Sequence, residues 1–137
     1  MQHIDSKRHT EYFDYHTLSD DQLHFYNEKG YLLLGRTLTD QGLELMLNQC
    51  MQAWTVEKGE FDPEKNWLQN ALLTNIHQKS KIVRDYYFEG PLVDVAEQII
   101  GPNIKAVTTQ LTFKMRGNTM PFNWHQDNGY GELEPYN

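Results

Sequence analysis

The 137 residues suit one domain of the size most often seen for independently folding units. A hydrophobic content of 39% and an aromatic content of 12% supply material for a packed interior and exclude the profile of a disordered segment. With 19 acidic against 12 basic residues the net charge is -7, which opposes attraction to phosphate backbones and anionic membranes and argues against a general role on nucleic acid or at a lipid surface.

Cys50 has no partner for a disulfide or a CxxC metal site, and within an amphipathic run it reads as a small buried hydrophobe in a reducing compartment. The opening segment, MQHIDSKRHTEYFDYHTL, lacks the apolar core of a signal peptide. The longest apolar run, YLLL, is far short of the roughly 20 residues that span a bilayer. A soluble, cytoplasmic protein is the expectation.

Residues 1–17 carry His3, His9 and His16 among Tyr12, Phe13 and Tyr15 without a clear period, and read as an irregular lead-in with solvated histidines. In LSDDQLHFYNEKGYLLLG, Ser19 caps a helix whose residues 22, 23, 25 and 26 form an apolar side, and Gly30 closes it in a left-handed cap. YLLLG then reads as a short strand. His24 on this helix, taken to lack a ligand partner at i+4, reads as a surface or packing residue.

Thr39 or Asp40 starts a second helix in which Leu43, Leu47, Cys50, Met51 and Trp54 recur at spacings of three and four, the pattern of a core face, and Gly59 stops it. FDPEKNWLQN is turn-rich. ALLTNIH is short and apolar enough for a strand or a buried turn, and His77 at its end reads as hydrogen-bonded rather than as a ligand.

From Ser80 the chain predicts two successive helices, broken at Gly90 and Pro91 and ended by Gly101 and Pro102. IKAVTTQLTFKMRG alternates and is rich in Val, Thr and Phe, which predicts a strand of about ten residues. GNTMP turns the chain toward FNWHQD.

Positions i and i+2 of a strand face the same way, so His125 and Asp127 present an imidazole beside a carboxylate. Those donors form two thirds of the 2-His-1-carboxylate triad, which leaves positions on Fe(II) open for a cosubstrate and dioxygen. A bare His-x-Asp triplet also arises in ordinary turns, where it only makes hydrogen bonds.

The wider pattern resembles the phytanoyl-CoA dioxygenase family of Fe(II)- and 2-oxoglutarate-dependent oxygenases. QLTFK, a Gly-containing turn and WHQDNGY place Gln110, Lys114, Gly117, Trp124, His125, Asp127 and Tyr130 at the family's spacing. The resemblance covers residues 18–137, with its specific part after residue 109. It implies an α+β fold in which helices pack on a double-stranded β-helix, or jelly roll, here incomplete, so that this chain is itself helix-rich with a few strands.

It also implies His125 and Asp127 as metal ligands and Gln110, Lys114 and Tyr130 at the 2-oxoglutarate pocket, where Lys114 offsets a carboxylate. The substrate would be a small organic or acyl molecule, hydroxylated as 2-oxoglutarate is decarboxylated to succinate. The family's second histidine ligand and its 2-oxoglutarate-binding arginine follow tens of residues after the motif. The expectation is therefore an N-terminal portion, residues 18–137, of a single oxygenase domain cut after the HxD motif.

Two other readings compete: a non-catalytic interaction module that docks through its amphipathic helices, and a cupin-like metal protein completing its site by oligomerisation. On the oxygenase reading, the purified 137-residue chain releases no succinate from 2-oxoglutarate and Fe(II). Measurable release would refute the expected incompleteness of the site.

Overall fold

The computed structural model describes residues 8–59, 64, 71–113, 124 and 125. Helix α1 spans Asp20–Lys29, and its start follows from one reciprocal exchange. The Ser19 Oγ accepts from the Gln22 N–H at 3.3 Å, and the Gln22 side chain accepts from the Ser19 N–H at 3.0 Å, a capping box. Asp20 and Asp21 in the first turn and Lys29 in the last match the helix dipole. Gly30, at φ 76°, ends the helix in the conformation that glycine adopts without Cβ strain. None of its residues is buried, so caps and local charge support α1 more than packing does.

The strand expected at YLLL does not form. Residues 31–37 have no ladder, Leu33 is 85% exposed, and pairing begins with a single antiparallel bridge between Phe13 and Leu38. Alternating apolar residues make a strand only where a partner backbone meets their N–H and C=O groups.

Helix α2 spans Asp40–Lys58, with Thr39 as its N-cap. The Thr39 Oγ1 accepts from the Gly42 N–H at 3.0 Å and donates to the Glu11 carbonyl at 2.8 Å, while the Thr39 N–H donates to the Tyr12 carbonyl at 3.0 Å. One side chain thus caps α2 and holds the lead-in over its first turn. A Cβ at Gly42 would lie 1.9 Å from the Tyr12 carbonyl oxygen, so this approach exists because residue 42 is glycine.

The inner face of α2 keeps Cys50 and Trp54 of the expected stripe and differs in the rest. Gly42, Cys50 and Ala53 are buried with Leu45 and Met46 packed alongside, whereas Leu43, Leu47 and Met51 are 56%, 58% and 41% exposed. Two apolar stripes compete on this helix, and the missing side chain at Gly42 lets the Tyr12 backbone close in on theirs, with the small Ala53 buried further along.

Strand β1 (Leu72–Thr74) passes through Asn75, at φ 54°, into a 3-10 turn at Ile76–Gln78. Within ALLTNIH, residues 72–74 are therefore strand, and residues 76 and 77 open the 3-10 turn. Helix α3 (Lys81–Glu89) is capped by Ser80, which is 3% exposed: its Oγ accepts from the Val83 N–H at 3.3 Å and donates to Gln49 Oε1 on α2 at 2.9 Å. Helix α4 (Pro91–Ile100) follows at once, with Gly90 as N-cap and Pro91 fixing the first turn.

Strand β2 (Gln110–Thr112) pairs antiparallel with β1 in the register Leu72↔Thr112, Leu73↔Leu111 and Thr74↔Gln110. The strand of about ten residues expected here is three long among the described residues. Its partner sets the limit, because β1 leaves the ladder at Asn75, and Ile104 and Val107 upstream of β2 stay exposed.

The core joins Phe13, Cys50, Ala53, Leu73, Ile76, Ile82 and Val83. Among the described residues, helices thus pack with a small two-stranded antiparallel sheet, an α+β arrangement. No helix among the described residues is long and apolar enough to cross a membrane.

The lead-in has no helix or strand of its own over residues 8–17, yet it is docked rather than loose. Phe13 is 2% exposed, with its ring edge-on to Tyr86 of α3 at 5.4 Å between centroids. Arg8 pairs with Asp94 at 3.1 Å and lies over the Tyr15 ring, and the Tyr15 hydroxyl donates to the Glu89 carbonyl at 2.9 Å. Burial, the largest influence on it, pushes the Tyr15 phenol above its ordinary pKa.

Phe13→Ala is expected to lower the unfolding free energy by about 3–5 kcal/mol, the range for removing a buried aromatic ring. Gly42→Ala should also destabilise, although alanine is the better helix former by about 1 kcal/mol. Urea denaturation of both variants checks this, and a stabilised Gly42→Ala protein would refute the close approach of Tyr12.

Candidate functional site

The expected site begins on β2. Gln110 is its first residue, faces solvent and sits opposite Thr74 in the register. The residue before it is held from three directions. The Asn75 N–H donates to the Thr109 carbonyl at 2.7 Å, the His77 N–H donates to Thr109 Oγ1 at 3.2 Å, and the His77 Nδ1 lies 2.7 Å from the same oxygen. His77 is thus a hydrogen-bonded strut that sets where β2 starts, and hence where Gln110 stands. After β2, Phe113 tilts against Trp54 of α2 with centroids 5.2 Å apart and anchors the other end of the strand.

Of the motif itself, Trp124 and His125 are described, and both are exposed. Trp124 is 104% exposed and so does not pack in the core. Lys114, Gly117, Asp127 and Tyr130 lie outside the described residues. Among the described residues, no group of three or more His, Cys, Asp and Glu side chains is placed to hold a metal ion.

The other described histidines are engaged elsewhere. His9 Nε2 lies 4.0 Å from Asp85 Oδ2 and 3.7 Å from Glu89 Oε2, so it is largely covered between two carboxylates of α3 rather than solvated. His16 Nε2 meets the Arg36 carbonyl at 2.5 Å. His24 does have an i+4 neighbour, Glu28, with its carboxylate at 3.4 Å; at 76% side-chain exposure the pair is a surface contact worth a few tenths of a kcal/mol. Cys50 is buried, and burial pushes its thiol above the ordinary value, which suits a packing residue and not a nucleophile.

One cluster was not singled out in the sequence. His77, Lys79, Lys81, Arg84 and Phe88 line a surface cleft of about 450 Å³ at the start of α3. Its signal was the run HQKSKIVR, residues 77–84, which concentrates positive charge in an acidic chain.

Comparison with protein-family models, curated proteins and solved structures finds no match in any of the three.

Thr109→Val keeps the shape of the side chain and removes the oxygen that both His77 groups use. It is expected to cost about 1–3 kcal/mol, the range for leaving such polar groups unpaired, and to shift the amide resonances of residues 109–112. Unchanged stability and spectra would show that His77 does not position β2.

Proposed function

We propose that this chain contributes to a non-haem Fe(II)- and 2-oxoglutarate-dependent dioxygenase similar to the phytanoyl-CoA dioxygenase family, with a small organic or acyl compound as substrate. The observation that carries the reading is the ordered series Gln110, Lys114, Gly117, Trp124, His125, Asp127 and Tyr130. A helix-rich N-terminal segment leading into an antiparallel strand at Gln110 accords with it. In this reading the two short strands are the beginning of a jelly roll.

The donor chemistry of the motif fits iron in part. His125 and Asp127 provide one imidazole and one carboxylate of a facial triad. The triad needs a further histidine, and among the described residues no group of three or more His, Cys, Asp and Glu side chains is placed to hold a metal. When bound, Fe(II) and 2-oxoglutarate supply the oxidising chemistry that converts a C–H bond to C–OH.

The protein's own groups have simpler tasks. His125 and Asp127 hold the metal, and the Lys114 ammonium offsets a carboxylate of the cosubstrate. The Gln110 amide donates a hydrogen bond at the pocket edge, and Tyr130 walls the site. The three bonds on Thr109 keep Gln110 in place without a rearrangement on binding.

A second reading, an interaction module, draws on the exposed Leu43, Leu47 and Met51 stripe of α2. Metal titration separates the two. Fe(II) or Mn(II) added anaerobically is expected to bind weakly and to perturb the His125 ring resonances. His125→Ala and Asp127→Ala should each weaken binding by more than the roughly 10- to 100-fold that loss of an outer-shell partner costs. Equal binding by wild type and both variants would remove the ligand assignment.

A further inference from the structure

We propose that the cleft at the start of α3 binds a small ring-bearing phosphomonoester, with Arg84, Lys81 and Lys79 on the phosphate and Phe88 against the ring. The inference uses none of the residues of the iron motif and does not depend on that reading. The cleft measures about 450 Å³, and none of its lining residues is acidic, in a chain with 19 acidic residues against 12 basic. Lys81, Arg84 and Phe88 recur at i, i+3 and i+7 of α3 and therefore share one helix face, with Lys79 entering from the preceding turn.

The cations are not equally available. Lys79 pairs with Glu57, and Lys81 pairs with Asp85 at 2.5 Å, so each is partly neutralised from outside the cleft. Arg84 is exposed and has no ion pair among the described residues, which leaves its guanidinium fork open for two phosphate oxygens.

The N-terminal amides of α3 do not carry the site. Val83 N–H donates to Ser80 Oγ and Ile82 N–H to Gln49 Oε1, both within the protein. Binding thus rests on side-chain charge and on the one aromatic surface beside it. Phe88 is 48% exposed and held edge-on to His77 at 5.9 Å, with Tyr87 behind it at 4.9 Å. An exposed, braced ring next to a free guanidinium suits a planar ring joined to a phosphate. A long polyanion is disfavoured by the net charge of -7.

The test titrates the 137-residue chain with adenosine monophosphate, inorganic phosphate and adenosine, following the amides of residues 77–88 by NMR. Adenosine monophosphate should bind tighter than either fragment. Arg84→Gln should weaken it by more than about tenfold, since both charge-assisted hydrogen bonds of the fork are lost. Phe88→Ala should reduce the nucleotide to the affinity of phosphate, and rising salt should weaken nucleotide and phosphate alike. The thermal midpoint of Arg84→Gln should match wild type, since the side chain is exposed. Binding of adenosine as tight as that of the nucleotide, or full binding by Arg84→Gln, would overturn the proposal, as would the absence of any shift at these amides.

Discussion

The packing of the lead-in against α2 and α3 depends on the seating of Phe13. An aromatic ring cannot be buried from an irregular segment unless the backbone that carries it is also satisfied. The lead-in meets that condition by lending its carbonyls to α2: Glu11 accepts from Thr39 Oγ1, and Tyr12 accepts from the Thr39 N–H. The absence of a side chain at Gly42 admits the Tyr12 carbonyl, and the Phe13 ring then reaches Tyr86 of α3 and the core under α2. One small residue, one capping threonine and one ring meet at this contact, close enough for their contributions to couple.

From that contact the order of the other elements follows. Gln49 on the inner face of α2 receives Ser80 and the first turn of α3, which fixes the two helices against each other through one buried polar group with its partners satisfied. The 3-10 turn before α3 carries His77, and His77 holds Thr109 beside the first residue of β2. Placement thus passes from the lead-in through α2 and α3 to the strand that bears Gln110. The oxygenase reading would use this chain of contacts to hold one edge of its pocket still. The same helix, α3, bears Lys81, Arg84 and Phe88 of the cationic cleft.

Part of the site was open to sequence reasoning and part was not. His-x-Asp with its flanking Gln and Lys is a linear pattern, and linear spacing on a strand is enough to pair His125 with Asp127 in a hypothesis. The role of His77 as a strut was legible only as a preference for hydrogen bonding, because its partner, Thr109, lies far along the chain. The partners of His9 and His16 were hidden for the same reason. His24 and Glu28, four residues apart, were legible and overlooked. The cleft at α3 joins Lys79 to Lys81, Arg84 and Phe88, and a helical period alone relates only the last three.

The sequence by itself determined the helices and their ends. Ser19, Thr39 and Ser80 cap, Gly30, Gly59, Gly90 and Gly101 stop, and Pro91 starts, because each of these effects acts within one turn of backbone. Tertiary structure alone decided what those helices face and how long the strands are. On α2 both stripes were apolar, and the choice fell to the one with Gly42, where the Tyr12 backbone approaches closely. YLLL and IKAVTTQLT carried strand composition, yet only Gln110–Thr112 found a ladder, since a strand is a property of two segments and its partner ends at Thr74. Local signals fix local hydrogen bonds; burial and pairing depend on residues distant in sequence.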